Sequence, residues 1–185
     1  MIVENFIWDS QNQIVSWTYG KKLIKETIKN VHFASVNEEK SYVYVEAGQN
    51  YSQDQVYHLS FDGRKIFILD KVNGKVSWFH QDQLVEIDCK NVVNAQLYDG
   101  QVVIIIIKAS NQDDGKLQGF ALDGNLLFEK EAPQGYSFVY LSTSKNLPSV
   151  VCDSDKTNAD AYGRSRWHFA IDTKTGDMTK ENIAY

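Results

Sequence analysis

Short runs in which apolar and polar residues alternate recur along most of the chain: YVYVEA, QVYHLSF, RKIFILD, KVSWF, LQGFAL, NLLFEK, SFVYLS and RWHFAID, with the continuous apolar run VVIIIIK among them. Alternation with period two sends one set of side chains to a buried face and the other to water, and β-branched and aromatic residues fit that pleated surface. Gly, Asp and Asn separate the runs at intervals of about 8 to 12 residues, the spacing of short strands joined by turns. KKLIKETIKN has some helical character, yet it follows WTYG just as other strands follow a Gly turn, so it also reads as a strand. The pattern predicts an all-β protein, either a sandwich, a barrel or a propeller.

An internal repeat narrows the choice. Shifting the chain by 61 positions lays KNVHFA (Lys29 to Ala34) on KNVVNA (Lys90 to Ala95), and FDGRKIF (Phe61 to Phe67) on LDGNLLF (Leu122 to Phe128) without a gap. The same shift puts Val43 and Val45 on Ile104 and Ile106. A further copy runs from SFVYLSTS through SVVCDSD to RWHFAIDTKTG, where Cys152 falls on Ile106 and Val45, and a truncated one, IWDSQNQIVSWTYGKK, opens the chain. Each unit reads as strand A, hairpin, strand B, longer polar loop, strand C, Gly-containing turn, strand D, a four-stranded antiparallel meander. The expectation is a single all-β domain over residues 1–185, a small propeller-like array of about four units, with a β-sandwich as the alternative. Residues 71–89 fall out of phase and read as an inserted hairpin or half of a further unit; the first unit lacks its A strand, which the C-terminal ENIAY could supply.

ILDKVNGKVSW (Ile68 to Trp78) and FAIDTKTGDM (Phe169 to Met178) resemble the Leu-Asp-x-x-Thr-Gly-x-x-x-Trp element of quinoprotein-like β-propeller repeats, and LDG at 122–124 is a shortened relative. The resemblance implies a toroid of four-stranded sheets, usually of more blades than 185 residues supply, so a compact four-unit propeller or an open stack of such sheets is expected.

Composition sets bounds on function. A content of 43% apolar and 23% charged residues is that of a globular chain, and its longest apolar run, Val102 to Ile107, is strand-sized, so neither disorder nor a membrane span is expected. The start, MIVENFIWDSQNQ, has no basic segment followed by a long apolar one, and the two cysteines, Cys89 and Cys152, have no metal or redox spacing; both points suit a cytoplasmic protein with reduced, structural thiols. A net charge of −5 argues against direct nucleic-acid binding over a wide surface and suits a basic partner.

Catalytic chemistry finds little purchase. No G-x-S-x-G, P-loop or G-x-G-x-x-G occurs, and Asp113 and Asp114 are adjacent, so in an extended segment their carboxylates diverge. His58 and His168 share a repeat position on strand C, where two rings could face one opening, but a metal needs three or four ligands. DSDKTNADAYG (Asp153 to Gly163) departs from a calcium loop and reads as solvated surface. Trp8, Trp17, Trp78 and Trp167 read as packing residues. No cofactor and no metal are expected.

The B–C loops are the sharper signal: DSQNQ (9–13), GQNYSQDQ (48–55), SNQDDGK (110–116) and DSDKTNADAYGRS (153–165). In the repeat register they project from one rim, which carries Asp9, Asp54, Asp113, Asp114, Asp153, Asp155 and Asp160 against Lys116, Lys156 and Arg164, with Tyr51 and Tyr162 as aromatic anchors. Together these features suggest a non-enzymatic protein-binding module. Its sharpest form is an immunity-type cytoplasmic inhibitor that masks a basic partner such as a nuclease toxin. The alternatives are a ligand- or metal-binding small propeller, possible as an enzyme, with a site near His58 and His168, and a fragment that completes a larger propeller by oligomerising.

Overall fold

The computed structural model describes residues 2–98, 100–108, 115–154 and 158–184. Its strands are β1 (Val3–Asp9), β2 (Ile14–Tyr19), β3 (Lys22–Thr27), β4 (Val31–Asn37), β5 (Tyr42–Ala47), β6 (Gln55–Ser60), β7 (Lys65–Asp70), β8 (Lys75–His80), β9 (Gln83–Asp88), β10 (Val92–Tyr98), β11 (Val102–Lys108), β12 (Gly115–Ala121), β13 (Leu126–Glu131), β14 (Tyr136–Ser144), β15 (Leu147–Ser154), β16 (Arg166–Ile171) and β17 (Met178–Ile183). They form four open antiparallel sheets, β1-β2-β3, β4 to β9, β10 to β13 and β14 to β17, each a meander in chain order. The first therefore holds strands B, C and D, and KLIKET is indeed a strand. Residues 71–89 contribute β8 and β9, which extend the second sheet to six strands as an added hairpin.

Internal contacts divide the chain into two compact units, Met1–Asp88 and Cys89–Tyr185. In the first, Val15, Trp17 and Ile24 pack with Val43, Val45, Ala47 and Leu59 of the six-stranded sheet. Trp17 is fully buried and its indole N–H donates to the Phe61 carbonyl at 2.7 Å, so one side chain both fills the core and ties the two sheets. In the second unit, Val102, Ile104, Ile106 and Leu117 pack with Val150, Cys152, Phe169 and Ile171. Burial of this kind is the main favourable term in holding two sheets together.

A bulge near the start of strand A recurs between Val31 and Phe33, Val92 and Asn94, and Phe138 and Tyr140, and it fixes the equivalences between sheets. Val45 pairs with Ala34, Ile105 with Ala95 and Val150 with Leu141. The matching residues of β5 and β11 are thus 60 apart, because the hairpin from Tyr98 to Val102 is one residue shorter than that from Asn37 to Tyr42. Val43 and Val45 correspond to Val103 and Ile105, not to Ile104 and Ile106, and Cys152 corresponds to Ala47 and Ile107. One residue of register moves a side chain to the opposite face, which the ungapped repeat could not reveal. The C-terminal residues also differ from expectation: β17 is strand D of the last sheet, with Ile183 opposite Trp167, so ENIAY does not stand in for the A strand missing at the start.

Candidate binding loops

All four polar loops join strand B to strand C. Within the first unit, two of them meet one linker: Ile28 N donates to Gln13 O at 2.9 Å, and Gly48 N donates to Asn30 O at 3.0 Å. Asp9 starts the first loop. Its Oδ1 accepts the amides of Gln11 and Asn12, and its Oδ2 accepts the Asn12 side-chain amide at 2.7 Å, an Asx turn that holds the carboxyl below its ordinary range. The charge remains, but most of its hydrogen-bonding capacity is already used.

The β5–β6 loop is shaped by a short 3-10 turn, Gln49–Tyr51, in which Asn50 and Tyr51 have φ of 54° and 61°. A side chain on Gly48 would collide with the Ser52 backbone, so glycine is required there. His32 Nε2 lies 2.8 Å from the Ser52 carbonyl, and the His32 ring meets Tyr51 edge-on with centroids 5.8 Å apart. Tyr51 nevertheless remains 84% exposed. Asp54 closes the loop by accepting Lys71 N on its carbonyl, and it lines a groove with Lys29, Asn30, Gln49, Gln55 and Val72.

In the second unit the β15–β16 loop ends in a turn built on Asp160. Arg164 holds its Oδ2 through Nε at 2.7 Å and through a second guanidinium nitrogen at 2.6 Å, while Tyr162 N and Arg164 N donate to Oδ1. These bonds, the Arg164 side chain first, keep the Asp160 carboxyl below its usual range. The guanidinium also lies 5.2 Å from the Tyr162 ring centroid, and Tyr162 is 84% exposed. Asp153 is held in turn by Ser165 Oγ at 2.6 Å and by Arg166. Lys116 forms an ion pair with Glu129. Asp113, Asp114 and Asp155, with Lys156, lie outside the described residues.

The sequence therefore located the loops but not the pairings inside them, because each partner is set by turn geometry. Tyr51 and Asp54 share one loop, and Asp160, Tyr162 and Arg164 share another. Asp9, half-buried at the end of β1, is a turn former as much as an available acid.

The histidines behave differently from expectation. His58 pairs with Tyr44 and His168 with Val151, so from the recurring bulge the residue equivalent to His58 is Ala170. His58 is buried, stacked on Tyr42 and tilted against Tyr44 and Phe67. His168 Nδ1 lies 3.5 Å from Ser149 Oγ. Among the described residues no three His, Cys, Asp or Glu side chains gather as a metal-holding group. Cys152 is wholly buried, and burial pushes its thiol up to about 12, which suits packing rather than nucleophilic chemistry. Trp17 and Trp78 are core residues as expected, whereas Trp8 is 39% exposed on β1. No helix among the described residues is long and apolar enough to cross a membrane.

No family model matches the chain, and no curated protein matches it by sequence. Among solved structures, hydrazine synthase of Kuenenia stuttgartiensis is similar at 10% identity with a TM-score of 0.52, over 91% of this chain and 59% of that one. Hsv2 of Kluyveromyces marxianus is 12% identical with a TM-score of 0.46, over 94% of this chain and 65% of that one. A functionally unknown protein from Desulfotomaculum acetoxidans is 12% identical with a TM-score of 0.41, over 96% of this chain and 50% of that one. The chain thus spans between half and two thirds of the length of these structures. At such identities the likeness to hydrazine synthase concerns the fold alone: an all-β chain of antiparallel sheets, two of them four-stranded.

Proposed function

We propose that this protein is a non-enzymatic binding module whose B–C loops engage a basic protein, and that in its sharpest form it is an immunity-type cytoplasmic inhibitor masking a partner such as a nuclease toxin. The reading takes from the sequence repeat a propeller-like array in which these loops share one rim. The observation that carries it is the state of Tyr51 and Tyr162. Each is 84% exposed, yet each sits at a loop tip fixed from beneath, by His32 and by the Asp160–Arg164 turn. Exposed aromatic side chains on pre-ordered loops lose little entropy on binding, which is the property of interface anchors. The acidic balance of the chain, −5, adds long-range attraction for a basic surface. The competing site near His58 and His168 has less behind it, since the His58 ring is taken up by three aromatic neighbours.

Affinity capture from the native cell with the intact protein and with a Tyr51→Ala/Tyr162→Ala variant, read by mass spectrometry, tests the reading. A basic protein retained by the first and lost by the second supports it. Identical captured sets contradict it.

A further inference from the structure

In the second unit the β10–β11, β14–β15 and β16–β17 turns border an open cavity of about 550 Å³. The first two join strand A to strand B and the third joins C to D. In an antiparallel meander such turns lie at the other end of the sheet from the β15–β16 loop that carries Tyr162. A volume of this size accepts a small organic molecule.

The walls are fixed by the protein's own bonds. Buried Tyr98 donates its hydroxyl to the Ser142 carbonyl at 2.8 Å, which ties β10 to β14. Asp172 N donates to the Asp177 carbonyl at 2.9 Å and Gly176 N to the Asp172 carbonyl at 2.8 Å, closing the β16–β17 turn. Asp172 Oδ1 also accepts the amides of Lys174 and Thr175, and Asp177 Oδ1 accepts Lys130 Nζ at 2.7 Å. The Thr175 amide foremost at Asp172, and Lys130 foremost at Asp177, hold both carboxyls below their usual range, so both are ionised at neutral pH.

The lining is of two kinds. Asp172 and Asp177 are carboxylates, Gln101 and Asn146 amides, and Thr173 and Thr179 hydroxyls, whereas Val102, Leu147, Pro148 and Ile171 are apolar. Carboxylates accept hydrogen bonds, while amides and hydroxyls both give and accept them, so together they match the adjacent hydroxyls of a polyol. Apolar side chains suit the C–H faces of the same molecule. Charge narrows the class further. An anion would meet the two carboxylates, and a cation would find Asp177 already paired with Lys130. We propose that this cavity binds an uncharged sugar ring, free or at the end of a glycan. The site is separate from the loop tips, so either reading stands if the other fails.

Amide NMR titration of the full chain tests the proposal. The probes are glucose, galactose and mannose, with their methyl glycosides beside them to tell a free sugar from the linked end of a glycan. Glucose 6-phosphate is the anionic control and cyclohexylmethanol the apolar one. At least one sugar should give saturable shifts with a Kd of about 1 mM, centred on the three turns, and both controls should bind about tenfold more weakly or not at all. Thr179→Val and Gln101→Ala each remove one polar group and should weaken that sugar about threefold, and together about tenfold, while the melting temperature holds. The proposal is overturned if no sugar gives a saturable shift up to about 50 mM. Shifts centred away from the three turns, a control that binds as well as the sugars, or unchanged binding by the double variant overturn it too. If the double variant does not fold, the comparison of sugars with controls on the natural chain decides.

Discussion

His58 lies flat against Tyr42, their ring centroids 4.2 Å apart and their planes 4° from parallel. Burial, and after it the nearby Lys40 ammonium, pushes the imidazole down from 6.5 to about 4. The unfolded chain takes up a proton here as pH falls through about 6.5, and the folded chain does so only near 4. The proton therefore favours the unfolded state across that window, and stability should fall by roughly 3 kcal/mol between its upper and lower ends. Urea unfolding at several pH values from 7.5 to about 4.5 should show this slope, and His58→Phe should flatten it. Equal slopes in the two proteins would refute the assignment.

Gly119 faces Phe128 where, in the preceding sheet, His58 faces Phe67. A Cβ on Gly119 would overlap the Phe128 ring, and one on Gly176 would overlap it from a second direction. Gly119→Ala should destabilise the protein by roughly 1–3 kcal/mol through overpacking, and Phe128→Leu in the same chain should return part of the loss. Thermal melts of the two variants measure both effects.

Trp17 joins two sheets through its volume and its bond to Phe61. Trp17→Phe should cost about 2 kcal/mol, from the lost hydrogen bond and a small void, and Trp17→Ala about 3–5 kcal/mol. Denaturant midpoints at constant slope are the appropriate measure. A near-neutral Trp17→Phe would mean that the indole N–H finds water instead.

Asp160 organises its turn without supporting the core. Asp160→Ala should speed amide exchange at Tyr162 and Arg164, which donate to its carboxylate, and leave the melting temperature almost unchanged. A large loss of stability would show that the turn is part of the folding unit.

Strand existence was largely legible because alternation with β-branched residues has few other solutions in water. YVYVEA and VVIIIIK could be placed, and so could LIKET beside its Gly turn. Register was less legible. The one-residue difference between the β4–β5 and β10–β11 hairpins leaves the local pattern intact in a run as uniformly apolar as VVIIIIK, so an ungapped shift of 61 lays Val43 and Val45 on residues of the opposite face, Ile104 and Ile106. In the loops, acids read as available charge are in part turn formers, Asp9 through its own backbone neighbours and Asp160 through Arg164. The tyrosines were legible because a large aromatic residue in a polar loop has no core to enter.

The central claim is that Tyr51 and Tyr162 anchor a basic protein partner. Titration calorimetry of the captured partner against the natural chain, Tyr51→Ala, Tyr162→Ala and the double variant tests it most directly. Each single substitution should weaken binding about tenfold or more with the fold unchanged, and the double variant should abolish measurable binding. Affinities that match the natural chain within about twofold for both single variants would contradict it.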